Sequence, residues 1–169
     1  MLQSDIIYLS TITVDDKALF IDIYTDPEVM QHVGNTLNVQ AALKLFNQCL
    51  NQFSKVKPSN RMYVIKSTKN NQKFGVIGLL WNQPEQDCVE LGVMIAKPFV
   101  SKGYAYKATA LLMDYGFVEL KLKSIVVFCN ETNVMANRVA KALGFVSNGR
   151  IADKHTKHNK IKWTALNRY

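Results

Sequence analysis

Several things are scarce in this sequence, and each scarcity excludes something. Cysteine occurs only as Cys49, Cys88 and Cys129 in 169 residues. The count is odd, the spacings are wide, and there is no CxxC or Cys/His cluster. Neither a disulfide framework nor a zinc site is expected, and free thiols in a reduced compartment are. No apolar run approaches the ~18 residues a membrane-spanning helix needs. The start, Met1-Leu2-Gln3-Ser4-Asp5, lacks a basic segment followed by an apolar one. No secretory leader is expected, and the cytoplasm is the expected location. There is no internal repeat and no low-complexity linker. Acidic residues are in deficit, 13 against 21 Lys and Arg, which gives a formal charge of +8. A basic surface attracts polyanions, whether RNA, a membrane surface or a phosphorylated cofactor, and charge does not choose among them.

What is present is ordinary globular composition, 48% hydrophobic and 20% charged, in a length that suits one domain over residues 1–169. Ile6 to Leu9 reads as a strand. Val14 to Thr25 carries a helical apolar face, closed at Asp26-Pro27 because the residue before proline is pushed out of the α region. Asn38 is a candidate N-cap for a second helix with Ala41, Ala42, Leu45, Phe46 and Leu50 at helical spacing. The pattern then switches to strands at Arg61–Lys66, Phe74–Trp81 and Cys88–Ala96. Turns at Asn70-Asn71 and Asn82–Asp87 join them into an antiparallel meander. A long helix is predicted from about Gly103 to Leu120. Ser124–Asn130 follows as a strand whose continuous apolar run suits a buried central position. Asn133–Leu143 is a helix with Gly144 where a C-terminal cap belongs. Strands from Phe145 and over Ile161–Leu166 end the chain. The predicted order is β-α-α-β-β-β-α-β-α-β-β, an α+β mixed sheet flanked by helices.

One segment has the features of an anion site. The strand Glu90-Leu91-Gly92-Val93-Met94-Ile95 leads to the turn Ser101-Lys102-Gly103-Tyr104-Ala105, which opens the long helix. The first amides of a helix lack internal acceptors, and the helix dipole favours an anion there. Gly103 and the small Ala105 allow close approach to the backbone. Lys102 and Lys107 at the helix start and Glu119 at its end reverse the charge order a dipole prefers, which makes sense if an anion binds. Gly92, inside a strand, suggests a bulge or the close approach of another backbone or a ligand.

Val100-Ser101-Lys102-Gly103-Tyr104-Ala105 resembles the Gln/Arg-x-x-Gly-x-Gly/Ala signature of the GCN5-related N-acetyltransferases. Asn133 to Phe145, ending Leu143-Gly144-Phe145, resembles the second motif of that superfamily. Asp26-Pro27-Glu28-Val29, Phe74 to Gly78 and Glu90-Leu91-Gly92 are similar to its ribosomal-protein-alanine (RimJ/RimL-like) branch. The resemblance spans nearly the whole chain. It implies transfer of an acetyl group from acetyl-CoA to a primary amine, on a small molecule or a protein N-terminus. Ser101 to Ala105 would hold the pyrophosphate, and Val93, Met94 and Ile95 would pair with pantetheine. A backbone amide there would stabilise the oxyanion. Asn133 would bond the pantetheine arm. The resemblance implies no metal and no membrane partner, and a ribosomal protein is a possible acceptor. A monomer or a homodimer is compatible with it.

Three residues depart from the pattern. Val100 stands for Gln or Arg, Ser101 for glycine, and Ala136 for a serine thought to serve the leaving thiolate. These departures motivate a second reading, a non-catalytic acyl-CoA-binding module. The charge motivates a third, a basic RNA- or ribosome-binding domain, although no aromatic-basic interleaving accompanies it. For catalysis, an ammonium acceptor must first lose a proton. Glu90 is the candidate base, on the same strand face as Gly92 and Met94. Cys129 has no neighbouring base or cation and reads as a small buried thiol. Tyr106 and Tyr115 read as packing residues, Trp81 and Trp163 as core or sheet-surface aromatics. His155 and His158 fall in a basic loop. The acceptor is expected to be set by Tyr24–Leu37 and by the last loop, Ala152–Asn159.

Overall fold

The computed structural model describes residues 2–152 and 159–167. Most of the Ala152–Asn159 loop, with His155 and His158, lies outside the described residues. The chain begins with β1 (Leu2–Gln3) and β2 (Ile7–Thr11) and then makes a 3-10 turn over Val14–Asp16. Three helices follow, α1 (Lys17–Thr25), α2 (Pro27–Met30) and α3 (Val39–Leu50). The meander is β3 (Asn60–Ser67), β4 (Lys73–Leu80) and β5 (Cys88–Ile95). The second half runs α4 (Tyr104–Val118), β6 (Ser124–Asn130), α5 (Val134–Ala142), β7 (Val146–Ile151) and β8 (Lys160–Leu166).

The order matches the sequence expectation except for two short additions. β1 is two residues long and carries no periodicity to read. At Asp26-Pro27 the chain both stops and restarts a helix. The Asp26 carboxylate accepts the Glu28 and Val29 amides at 2.8 and 3.3 Å. Pro27, whose fixed φ suits a first helical turn, begins α2. Asn38 caps α3 as expected, its side-chain oxygen accepting from the Ala41 amide at 2.8 Å.

The eight strands form one sheet in the order β1-β2-β3-β4-β5-β6-β8-β7. Among the described strands only β5 and β6 run parallel. Side chains alternate between two cores. Tyr63 and Ile65 of β3, Ile77 and Leu79 of β4 and Val89 and Leu91 of β5 pack with Ala108, Leu112 and Phe117 of α4. Met62, Val64 and Val76 face the other way, against Phe20 and Ile23 of α1 and Phe46 of α3. Strands covered on both faces read as nearly continuous apolar runs, which is why Met62–Ile65 and Phe74–Leu79 are apolar throughout. Among the described residues, no helix is long and apolar enough to cross a membrane.

Candidate active site

The parallel pair at the centre of the sheet is incomplete. β5 and β6 pair only at Cys88–Ser124, Val89–Ile125 and Glu90–Val126. Beyond Glu90, β5 stays with β4 as far as Ile95, while β6 stays with β8 as far as Asn130. The two strands therefore part, and a cleft of about 1130 Å³ opens between them. The far halves of both strands, the turn before α4 and the start of α5 line it.

Strand alternation fixes which backbone groups face the opening. The Ala96 amide donates to the Phe74 carbonyl of β4 at 2.9 Å. In an antiparallel ladder the amides of Met94 and Gly92 then also point to β4, and those of Val93 and Ile95 point the other way, into the gap. Of the three residues expected to pair with a ligand, Val93 and Ile95 present amides to the cleft. Met94 contributes its side chain to the cleft wall, because its own amide belongs to the β4 ladder. Gly92 proves open rather than crowded. A side chain there would meet nothing within 4 Å, which leaves open space beside Gly92 in the cleft wall. The close approach is at Gly75 on β4 instead. A Cβ there would lie 2.2 Å from the Met94 carbonyl oxygen and 2.9 Å from the Ile95 Cα.

The turn before α4 has the backbone of an anion cradle. Ser101 has φ 64° and Gly103 φ 79°, both left-handed, and Gly103 caps α4. A Cβ on Gly103 would meet nothing within 4 Å, so its glycine character answers to conformation and open space, not to crowding. The first helical bond formed is that of the Lys107 amide to the Gly103 carbonyl at 3.2 Å. The amides ahead of it have no helical acceptor. Val100, Ser101, Gly103, Tyr104 and Ala105 line the cleft. Lys102 does not; its ammonium sits 5.5 Å from the centroid of the Phe99 ring. The charge-order argument also weakens at Lys107, which pairs with Asp5 at 3.3 Å. Lys97, by contrast, lines the cleft beside its partner Glu28, at 2.6 Å.

Across the cleft, Asn133 caps α5. Its side-chain oxygen accepts the Ala136 amide at 3.0 Å, which leaves both N–H groups of its side-chain nitrogen to offer a ligand. Ala136 lines the cleft without a hydroxyl. Sequence reasoning missed Asn137, which ties this corner together. Its side-chain nitrogen donates to the Asn130 and Asn133 carbonyls at 2.9 and 2.8 Å, and its oxygen accepts the Trp163 indole N–H at 2.9 Å. Gly144, with φ 82°, takes the left-handed position expected just past α5.

Glu90 stands where the strands part, in the last parallel pair and in the cleft wall. Its carboxylate accepts the Asn82 side-chain amide at 2.5 Å, a partner supplied by the β4–β5 turn that the sequence reading did not single out. Cys129 lines the same cleft, but burial pushes its thiol up to about 11, so it stays protonated at neutral pH. Tyr106 is exposed at the cleft and not a packing residue. Tyr115 does pack, edge-on to Tyr63, and its hydroxyl accepts from Arg61 at 3.2 Å. From the region expected to choose the acceptor, Tyr24, Glu28, Gln31 and His32 line the cleft, and burial raises the Tyr24 hydroxyl above its ordinary pKa.

A parallel strand pair that splays above an anion-ready turn defines a class of transferase fold, and sequence comparison agrees. The chain belongs to the acetyltransferase (GNAT) domain family, whose pattern matches residues 7–146. An uncharacterized N-acetyltransferase of Bacillus licheniformis is 25% identical over 154 residues, covering 90% of this chain and 85% of its own. Among solved structures, spermidine N-acetyltransferase from Vibrio cholerae, in complex with CoA and spermine, superposes with a TM-score of 0.83 at 17% identity and 95% coverage of both chains. RimL, a ribosomal L7/L12 alpha-N-protein acetyltransferase in complex with coenzyme A, gives a TM-score of 0.82 at 15% identity, covering 96% of this chain and 95% of its own. At those identities the two structures share the fold. By family, the chain is an N-acetyltransferase.

Proposed function

We propose that this chain transfers the acetyl group of acetyl-CoA directly to a primary amine held in the cleft. The observation that carries the reading is the continuity of one opening. It runs from the β5–β6 parting at Glu90, past the outward-facing amides of Val93 and Ile95, to the left-handed turn at Ser101 and Gly103. The Ser101–Ala105 amides hold the pyrophosphate, and the helix dipole supports its charge. Pantetheine lies along Val93 and Ile95 as a pseudo-strand, and an amide of this segment stabilises the oxyanion. The Asn133 side-chain nitrogen donates to the pantetheine arm.

In the chemical step, the acceptor ammonium gives a proton to Glu90, directly or through one water. The neutral nitrogen attacks the thioester carbonyl, the C–S bond breaks, CoA leaves as a thiolate, and the extra proton of the new amide nitrogen passes to water or to that thiolate. Ala136 cannot protonate that thiolate, but a thiol of pKa about 8.5 leaves acceptably without a dedicated acid. Turnover is expected to be slow. Glu90→Gln should lower kcat by roughly 10²–10⁴-fold, the usual worth of a general base, with acetyl-CoA affinity unchanged. A variant with wild-type kcat removes Glu90 from the mechanism.

The RimJ/RimL-like branch is supported by Asp26-Pro27-Glu28-Val29, Phe74–Gly78 and Glu90-Leu91-Gly92, and a protein N-terminus is the acceptor that branch implies. The likeness to the spermidine enzyme supports a small polyamine equally well. Thiol release from acetyl-CoA, measured against N-terminal peptides, polyamines, amino acids and aminoglycosides, separates these acceptors. Absence of release across the panel, with acetyl-CoA bound, favours the non-catalytic binding module that Val100, Ser101 and Ala136 suggest.

A further inference from the structure

Among the described residues, the cleft wall carries two carboxylates, Glu28 and Glu90, and two ammonium groups, Lys97 and Lys160. Both carboxylates lie on one side of the sheet. Glu90 shares a face of β5 with Gly92 and Met94, and Met94 packs, like Val29 of α2, onto the core beneath α1 and α3. The two acids differ in what already meets them. Glu90 accepts from a neutral group, the Asn82 side-chain amide, so its charge is left to meet a cation. Glu28 is matched by Lys97 at 2.6 Å.

Local chemistry sets up that ion pair. The Asp26 cap and Pro27 start α2, which puts Glu28 in its first turn. Lys97 opens a 3-10 turn, Lys97–Phe99, directly after β5. The Glu28 hydrogen bond and then its charge hold the Lys97 ammonium above its ordinary pKa, and the charge of Asp26 adds to this. Both side chains are more than half exposed, 59% for Lys97 and 63% for Glu28, so the pair does little for the stability of the fold. Its consequence is for the charge of the cleft. An acceptor carrying a second ammonium finds Glu28 already neutralised and Lys97 repelling it.

We propose that Lys97 is a specificity-determining residue: by neutralising Glu28 it leaves one carboxylate, Glu90, for one ammonium, and so sets the acceptor class as amines without a second positive charge nearby, against diamines and polyamines. The proposal rests on the acetyl-transfer reading of the cleft and narrows its acceptor. Removing the Lys97 charge frees Glu28 as a second anionic subsite. Removing the Glu28 charge leaves Lys97 unmatched and makes the cleft less tolerant still of a second cation.

The test measures kcat/KM by thiol release from acetyl-CoA in wild type, Lys97→Met, Lys97→Glu and Glu28→Gln. Acceptors are compared in matched pairs: n-butylamine against 1,4-diaminobutane, and a tetrapeptide amide with glutamine against one with arginine at its second position. Spermidine is also titrated calorimetrically into each protein with CoA bound, which reads the same charge without turnover. The wild type should prefer the singly charged member of each pair. Lys97→Met should move that preference toward the doubly charged member by about fivefold at low ionic strength, Lys97→Glu should move it further, and Glu28→Gln should move it the other way, all less in high salt. Spermidine should bind Lys97→Glu more tightly than wild type. A Lys97 that only supports the fold, or that contacts CoA, would change both members of a pair alike. That outcome, a wild-type preference for the doubly charged acceptors, or equal spermidine binding by wild type and Lys97→Glu overturns the inference. No thiol release by any of the four proteins overturns the transfer reading instead, and the spermidine titration still decides whether Lys97 sets the charge of the cleft.

Discussion

Asp16 shows how a single residue can be decisive and yet illegible in sequence. It sits 1% exposed at the start of α1, with Lys73 at 2.7 Å and Lys66 at 3.6 Å on one oxygen. The other oxygen accepts the Thr13 amide at 2.9 Å. Burial pushes its carboxyl up, but the Lys73 ammonium, the Thr13 amide and the charge of Lys66 more than reverse that, and the group lies below its ordinary value of 3.8. A carboxyl depressed in the folded state stabilises above its unfolded pKa, and that stabilisation is lost as pH falls through the folded value. Asp16→Asn should cost about 2 kcal/mol at pH 7. It should also flatten the loss of stability below about pH 4, read by denaturant titration at a series of pH values. A parallel acid limb in both proteins would contradict this. Nothing local in Thr13-Val14-Asp15-Asp16 announces the role, because both lysines arrive from β3 and β4. Asn38, Asn133 and Gly144 were legible for the opposite reason: caps are local chemistry. Asn137 was not, since its partners Asn130 and Trp163 lie on separate elements.

At the scale of elements, the decisive feature is the parting of β5 from β6. Gly75 lets the far half of β5 lie close against β4, because the Met94 carbonyl stands where any side chain on Gly75 would be. Gly75→Ala forces a backbone of the central sheet to move and should destabilise by about 3 kcal/mol or more. It should also weaken acetyl-CoA binding in whatever fraction remains folded. Gly92→Ala, with open space around it, should leave stability within about 1 kcal/mol. Chemical denaturation of the two variants side by side checks the contrast, and equal losses would refute the assignment. Sequence reasoning singled out Gly92, which stands open in the cleft wall, and passed over Gly75, where a neighbouring backbone approaches. A close approach depends on how neighbouring strands twist, and no single-strand pattern carries that. The helix boundaries were read within a few residues, since Gly103 and Asn133 punctuate them. α2 escaped because Asp26-Pro27 ends one helix and starts the next with the same two residues.

For the molecule as a whole, the meander, the long helix and the buried β6 were all visible in the switch from helical to strand periodicity. The insertion of β8 between β6 and β7 was not, because strand order is set by long-range pairing. The charge order along α4 carries less weight than it did in the sequence. Lys107, which was assigned to an anion at the start of α4, is engaged with Asp5 of the β1–β2 turn. What organises the molecule is geometric. Among the described residues one sheet parts at its single parallel pair, and the turn that follows β5 lines the gap, the amides ahead of Lys107 lacking a helical acceptor. Calorimetric titration of acetyl-CoA into the wild-type protein and into Gly103→Asp tests this account most directly. That substitution imposes roughly 1–2 kcal/mol of left-handed strain on a side-chain-bearing residue and sets a carboxylate where the pyrophosphate is placed. The account predicts saturable binding to the wild-type protein and none to Gly103→Asp while the variant remains folded. Equal binding by both proteins, or none by the wild type at millimolar acetyl-CoA, would contradict it.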